Sequence, residues 1–313
     1  GWTANSVSGL DATYVNRTGD TMTGDLTVPN LISEGDVQTT SLNGGPLAGL
    51  RNQIINGDFR VWQRGTSLTL TGASYTSDRW LVTSSAGFTG SYSRSTLGDA
   101  PAGFSYSYSL PNGAGALQQG VEIEEGNNSQ FAVGTVWTLS VWSKTDLTPF
   151  TTFMRFRAEV GGGSGSSVDA ATTIPNYVST GETSNGFTRY SLTFTITGTA
   201  ATDSKCLNFF LEGGGSSAIQ YAGVQLEPGP VATPFEHRPI GLELSLCQRY
   251  FQRVESYQSG TIFLGGFNTT LRITPTISNI TNGAGIPKIT PNTYAVATAA
   301  SAGTFFFSAD AEL

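Results

Sequence analysis

The sequence predicts an all-β protein: a strand-rich N-terminal segment, an antiparallel β-sandwich, one short helix and a small C-terminal β-unit. Three observations carry this expectation. Only 12% of the 313 residues are charged while 39 are Gly, a composition suited to short strands and turns, since helices draw on Ala, Glu, Lys and Leu. Apolar and polar side chains alternate with period two through the middle of the chain, the mark of strands with one face buried. Aromatic residues make up 11% of the chain and are concentrated after residue 58, where a core can form.

Residues 14–28, YVNRTGDTMTGDLTV, place two Gly-Asp turns between short Thr, Val and Met segments. Trp2 and Tyr14 are the only aromatics before Arg51. So little apolar surface cannot offset the entropy of ordering the chain. Residues 1–50 are therefore expected to gain order against other copies or a docking partner. The run Asn43-Gly44-Gly45-Pro46 breaks the pattern, and the boundary is placed between Gly44 and Leu50.

Residues 51–239 carry the sandwich. In Trp137–Lys144 one face holds Trp137, Leu139 and Val141, and the other holds Thr138, Ser140, Trp142 and Lys144. The core faces of two later strands are Met154, Phe156, Ala158 and Val160, then Tyr190, Leu192, Phe194 and Ile196. Further strands are expected over residues 59–64, 79–84, 88–95, 104–110, 116–124, 205–212 and 218–227, with loops at 161–167 and 198–204. About ten strands with one apolar face each describe two antiparallel sheets packed face to face. Trp62, Trp80 and Trp137 read as core, and Arg64 and Arg79 are placed to stack on aromatic rings.

Residues 240–253 form the one helical candidate. Pro239 and Gly241 mark its start, and Leu242, Leu246 and Tyr250 recur at i, i+4 and i+8, with Cys247 and Phe251 beside them. Residues 254–313 return to strand composition, with Phe263, Phe267, Phe305, Phe306 and Phe307 but few interior positions. That makes a small β-unit, expected to complete its core against a neighbour.

The formal charge of −7 is uneven. Asp11, Asp20, Asp25, Glu34 and Asp36 meet one base, Arg17, in the first fifty residues, while the rest is nearly balanced. With no basic stripe, nucleic-acid binding through phosphates is excluded. There is no apolar run of 18 residues and no signal peptide at the start, so a soluble chain folded in a cytoplasm, without membrane insertion, is expected. Cys206 and Cys247 give neither a disulfide framework nor zinc spacing and read as buried thiols.

Residues 16–26, NRTGDTMTGDL, resemble a motif that recurs in bacteriophage tail fibres and other virion appendages, where such segments build a homotrimeric shaft or attachment structure. Residues 51–67 (RNQIINGDFRVWQRGTS), 75–80 (YTSDRW) and 222–253 (AGVQLEPGPVATPFEHRPIGLELSLCQRYFQR) resemble a head module of cyanophage and other tailed-phage structural proteins. That module is similar to jelly-roll carbohydrate-binding modules, which open on Asn-Gly-x-Phe, here Asn56-Gly57-Asp58-Phe59, and close on Val-x-Leu, here Val224-Gln225-Leu226. The resemblance spans residues 14–30 and 51–253 and leaves the C-terminal sixty unmatched. It implies a jelly-roll head, a homotrimer joined through residues 1–50 and again after residue 240, and contacts with other virion proteins through the N-terminal segment. It also implies a structural Ca²⁺ near the opening segment and the last strand. Asp58, Glu124 and Glu227 are the candidates by position, although no EF-type loop accompanies them.

Catalytic groups are scarce. The sole histidine, His237, lacks an evident nucleophile and orienting group and reads as a loop residue. Glu122 and Glu124 share a strand face ~7 Å apart and would be the pair of a capsule- or lipopolysaccharide-degrading enzyme. The same spacing is common at solvated strand ends, and no catalytic residue is assigned. Sugar binding asks for an aromatic plate flanked by polar side chains, and Trp142 alternates onto the polar face of its strand. Lys144, Arg155 and Arg157 lie on polar faces of the same or the following strand, with Gln118 and Tyr221 as rim residues. These residue types also suit a subunit interface.

The expected function is that of a non-enzymatic virion protein, a homotrimeric tail fibre or spike that attaches to host envelope polysaccharide. It would sit on the tail or particle surface after assembly in the host cytoplasm. A capsid-decoration or tail structural protein without glycan binding is the first alternative, and a depolymerase on the same scaffold is the second.

Overall fold

Alternating side chains build two antiparallel sheets that close on one core. The computed structural model describes residues 50–312, apart from 84–88, 112–114, 124–128, 151, 153, 159–166, 212–217, 259–261, 274, 282–287, 291–293 and 299–302. Of residue 129 and of those remaining within 255–266 and 279–306 it describes the backbone alone. The expected shaft, residues 1–50, lies outside the described residues except for Leu50.

The sandwich begins with β1 (Ser67–Leu70), β2 (Ser74–Tyr75), β3 (Leu81–Val82), β4 (Gly90–Arg94), β5 (Tyr108–Leu110) and β6 (Leu117–Glu122). It continues with β7 (Val136–Ser143), β8 (Met154–Arg157), β9 (Ser167–Asp169), β10 (Val178–Ser184) and β11 (Phe187–Thr195). β12 (Cys206–Leu211) and β13 (Ile219–Pro228) complete it. One sheet has seven strands in the order β1-β4-β5-β13-β7-β11-β10, and the other has six in the order β2-β3-β6-β12-β8-β9. Strands β5 to β8 fall alternately in the two sheets. β13 returns between β5 and β7 as β12 returns between β6 and β8. This is the doubled Greek key of a jelly roll.

The predicted inward faces meet between the sheets. Leu139, Val141, Leu192 and Phe194 from the seven-stranded sheet share one buried cluster with Met154, Phe156, Leu207 and Phe209 from the other. Trp62, Trp80 and Trp137 join it. Fully burying a side chain of this size is worth about 1.5–3 kcal/mol, so the alternation alone selects which face turns inward.

Residues 59–64 are a loop, although their apolar residues read as a strand. Asn56, with φ 57°, donates from Nδ2 to the Val61 and Asp78 carbonyls at 2.9 and 3.0 Å, and its Oδ1 accepts from Val61 N at 2.9 Å. Those side-chain bonds take the partners that a strand ladder would need. Conversely, the long β10 is nearly all exposed and carries no apolar alternation. It pairs with β11 through Asn185 (φ 50°) and Gly186 (φ 78°), the left-handed pair of a two-residue hairpin.

The helix α1 spans Ile240–Gln248 and is shorter than the expected 240–253. It also turns a different face inward. Glu243 and Cys247 are buried, while Leu242 is 41% exposed. The physical reason is polar: the Glu243 carboxylate accepts from Asn56 N and sits 3.4 Å from the Arg238 guanidinium. A buried charge is held where its partners are, and this fixes the rotation of the helix against its leucine stripe. Tyr250 and Phe251, read as the end of the helix, lie beyond it.

Strand β14 (Phe251–Gln258) follows, then β15 (Ile262–Gly266), β16 (Thr276–Thr281), β17 (Lys288–Thr290), β18 (Tyr294–Thr298) and β19 (Gly303–Asp310). They form two three-stranded sheets, β14-β19-β16 and β15-β18-β17. Leu271, Phe307, Ala309 and Ala311 make a small core of their own.

Candidate functional site

The opening and closing phrases of the sandwich lock onto each other. Asn52 Oδ1 accepts from Ile54 N and Leu226 N at 2.9 and 3.1 Å, and its Nδ2 donates to the Val224 carbonyl at 3.2 Å. After β13 the chain folds back as a strap over the outside of the seven-stranded sheet. There the Thr138 hydroxyl donates to the Gly229 carbonyl at 2.7 Å, and the Arg189 guanidinium reaches the Thr233 carbonyl. The Glu236 carboxylate accepts from Asn52 N at 2.9 Å, and Glu236 N donates to Gln225 Oε1 at 2.8 Å. Arg238 donates to the Ile54 carbonyl at 2.9 Å. Much of the polar character of the two phrases is thus spent on closing the fold.

The six sugar-binding candidates do not form one site. Trp142 and Lys144 belong to the outer side of the seven-stranded sheet, whereas Gln118, Arg155 and Arg157 lie on the outer side of the six-stranded sheet. Consecutive strands of a jelly roll cross between sheets, so β7 and β8 present their polar faces on opposite sides of the molecule.

Tyr221 corrects the expectation more sharply. It is 1% exposed and packs in the core. Counting back from Val224 and Leu226 at period two places Tyr221 outside. A bulge between Ala222 and Gln225, with Gly223 at φ 55°, reverses the phase.

Trp142 points outward as its alternation requires, yet it is only 9% exposed. Phe104 packs against it at 6.5 Å between ring centroids, with Phe187 and Ala222 beside it. Lys144 bonds Asp99 at 2.5 Å and lies 5.0 Å from the Phe187 ring centre. Above Trp142, three rings touch pairwise: Phe104 and Phe235 at 5.0 Å, Phe104 and His237 at 5.2 Å, Phe235 and His237 at 4.9 Å. Nothing in the sequence brings Phe104 to Phe235. Only the strap does.

On the opposite side, Gln118 is buried and its Oε1 accepts from Asn208 Nδ2 at 3.1 Å. Arg155 Nε donates to Asp169 Oδ1 at 2.6 Å, and the two side chains are 36% and 59% exposed. They stand at a hollow of about 270 Å³ whose walls include Thr152, Met154, Ala171 and Ile174. Arg157 lies 5.6 Å from the Phe210 ring centre and donates from Nε to Ser167 Oγ at 3.4 Å. The hollow therefore offers a cation, an anion, two threonines and a few apolar side chains in one place. Asp169 was not legible beforehand, because a short strand after a Gly-Ser run carries no periodic signal, and Ile174 lies in the loop beyond it.

The calcium candidates are engaged elsewhere. Asp58 pairs with Arg60, and burial pushes its carboxyl above the ordinary Asp range. Glu227 accepts from Gln225 Nε2 at 2.8 Å and from Thr233 N and Oγ1 at 2.9 and 2.5 Å. Glu124 lies outside the described residues. Among the described residues, no three His, Cys, Asp or Glu side chains gather as a metal centre. Glu122, the other half of the carboxylate pair, is bonded by Arg249 at 2.9 Å and the Tyr250 hydroxyl at 2.7 Å. Burial raises its pKa, but those bonds outweigh the burial and hold it below the ordinary Glu range.

No family model matches the chain, and no curated protein matches it. Among solved structures, the chain is similar to the enzymatically active domain of tailspike protein 4 of bacteriophage CBA120, at 16% identity and a TM-score of 0.29, over 56% of this chain and 21% of that one. It is similar to a candidate sugar-binding protein of Bacteroides thetaiotaomicron VPI-5482, at 11% identity and a TM-score of 0.34, over 57% of this chain and all of the other. A family 16 carbohydrate-binding module shares 15% identity at a TM-score of 0.26, over 43% of this chain and 84% of the module. The chain thus spans about a fifth of the tailspike domain. At such scores none of the three bears on function, and the described residues form an antiparallel β-sandwich with one α-helix and a small C-terminal β-unit.

Proposed function

We propose that this chain is a non-enzymatic, carbohydrate-binding protein of a tailed-phage particle, attaching to envelope polysaccharide as a homotrimer assembled through residues 1–50. The observation that carries the binding reading is the Arg155–Asp169 hollow, in which a half-exposed ion pair meets walls of mixed character, Thr152 and Thr172 beside Met154, Ala171 and Ile174. A pyranose presents both hydroxyls and apolar C–H faces, and a small site with few convergent polar groups suits it. The phage reading rests on the resemblance of residues 16–26 and 224–239. Against a depolymerase stands the engagement of Glu122, whose carboxylate accepts from Arg249 at 2.9 Å and from the Tyr250 hydroxyl at 2.7 Å and so is not presented to a substrate.

The test is binding of the full chain to lipopolysaccharide and capsular polysaccharide preparations, with Arg155→Ala and Asp169→Ala beside the parent. Both variants are expected to bind at least tenfold more weakly. An exposed pair is worth about 0–1 kcal/mol to stability, so their unfolding midpoints should hardly move. Equal binding by all three proteins sinks the hollow. If no polysaccharide is bound while capsid or tail proteins are, the structural alternative stands. That alternative is favoured by one observation, the inward use of the polar residues of the strap.

A further inference from the structure

The joint between the sandwich and the C-terminal strands rests on a cluster of buried charges. Asp78, fully buried in the turn between β2 and β3, accepts from Gln63 N at 2.9 Å and also from Gln63 Nε2. The same Nε2 donates to the carbonyl of Phe251, the first residue of β14, at 2.8 Å. One amide side chain thus joins the Asp78 carboxyl to the C-terminal sheet. Within that sheet Phe251 pairs with Asp310 of β19, and Ala311 N donates to the Tyr250 carbonyl at 2.7 Å.

The charges around Asp78 do not balance. Arg64 reaches Asp310 at 3.0 Å and Glu312 at 3.3 Å, and Arg79 pairs with Glu312. Arg64 Nη1 stands 3.9 Å from Asp78, too far for a hydrogen bond, and it is buried with no such bond among the described residues. Among those residues, three carboxylates therefore meet two guanidiniums, and Asp78 is the one that neither cation bonds. The other groups facing the cluster do not correct this. Burial pushes up the hydroxyls of Tyr75 and Tyr250 and the thiol of Cys247 on α1, which keeps them neutral. Glu243 of the same helix is engaged by Arg238 and Asn56 N, and Glu122 by Arg249 and the Tyr250 hydroxyl. An ionised Asp78 leaves one buried negative charge in excess, and a proton on it removes that excess.

The geometry points to a pH-sensitive clasp: a proton on Asp78 balances the charges and draws β14 and β19 onto the sandwich, and its loss loosens them. The member that gives way is Asp310, whose side chain is 36% exposed against 4% for Glu312. Burial lifts the Asp78 carboxyl to about 6 from 3.8. The closed form therefore holds the proton more tightly than an opened form in which Asp78 meets water. The clasp tightens as the pH falls towards 4 and loosens as it climbs through 6. The C-terminal strands can open on their own, because Leu271, Phe307, Ala309 and Ala311 give them a small core separate from that of the sandwich.

Hydrogen exchange of the full chain at pH 5 and pH 7.5, corrected for the intrinsic rate at each, tests the clasp. The amides of β14 and β19 are expected to exchange faster than those of β7 and β11. They should also be about tenfold better protected at pH 5 than at pH 7.5, the ratio that lifting one carboxyl from 3.8 to about 6 supplies. In Asp78→Asn the ratio should fall below about twofold. Asp310→Asn removes the excess charge from the exposed edge of the cluster and should shrink the ratio as well. Exchange of β14 and β19 no faster than that of β7 and β11 overturns the proposal, because the strands then open only with the whole fold. Equal protection at both pH values in the parent also overturns it. So does a ratio left unchanged by Asp78→Asn or, where that variant does not fold, by Asp310→Asn.

Discussion

Arg79 and Glu312, 233 positions apart, form a buried ion pair that ties the end of the chain to the turn before Trp80. The Arg79 guanidinium also donates to the Gly120 carbonyl at 2.6 Å and lies 3.5 Å from the centre of the Tyr250 ring. Beside it Arg64 repeats the arrangement, bonding Asp310 at 3.0 Å and Glu312 at 3.3 Å while covering the Phe251 ring at 3.6 Å. Arg79 holds φ 72°, a strained value for a long side chain, and these contacts over-determine it. The C-terminal strands are therefore tied to the jelly roll through Arg64 and Arg79.

Arg79→Met should destabilise the fold by about 3–5 kcal/mol, because it leaves the Glu312 carboxylate buried with only part of its partner charge. Urea unfolding followed by tryptophan fluorescence measures this. A loss below about 1 kcal/mol would mean that the pair is dispensable.

Stability should rise as the pH is lowered from 7 to 5. Burial lifts the Asp78 carboxyl to about 6, against 3.8 for the free group. An acid whose folded pKa exceeds its unfolded one binds more protons when folded, so stability falls as pH climbs between those two values. For Asp78 the full span corresponds to about 3 kcal/mol. Burial shifts Asp58 and Glu243 in the same direction, while Glu122, held low by Arg249 and Tyr250, opposes them in part. Denaturant midpoints across this range, repeated on Asp78→Asn, check it. The variant should show a flatter profile, and a parent that weakens towards pH 5 would contradict the assignment.

Gly223→Ala should cost about 1–3 kcal/mol, since φ 55° is strained for Ala and the added methyl meets two rings. Its near-UV circular dichroism should change with Trp142 as Phe104 is pushed aside. An unchanged spectrum and midpoint would show that the bulge has slack.

Much of the fold was written in the alternation. Leu139 and Val141, Met154 and Phe156, and Leu192 and Phe194 all turn inward as their period-two spacing predicts. Arg64 and Arg79 stack on aromatic rings as their place beside Trp62 and Trp80 suggested. The failures have local causes. Residues 59–64 lost their ladder to the Asn56 side chain, and α1 turned with Glu243 because a buried carboxylate follows its donors. The site was less legible, because a binding surface depends on which strands are neighbours. Arg155 was visible as an outward cation, but its partner Asp169 lies on a strand with no periodic mark.

The order of apolar and polar residues determined that this chain makes strands and which side of most of them is dry. That information is local, because each strand needs only its own pleat to sort its side chains. Tertiary structure decided which outward residues are neighbours. The jelly-roll crossing sends β7 and β8 to different sheets, so Trp142 and Arg155 cannot grip one ligand. A single extra residue at Gly223 turned Tyr221 into the core, and the strap brought Phe235 and His237 to Phe104 across 131 and 133 positions of chain. Such contacts are fixed by packing energy summed over the whole sandwich, and no window of sequence contains it.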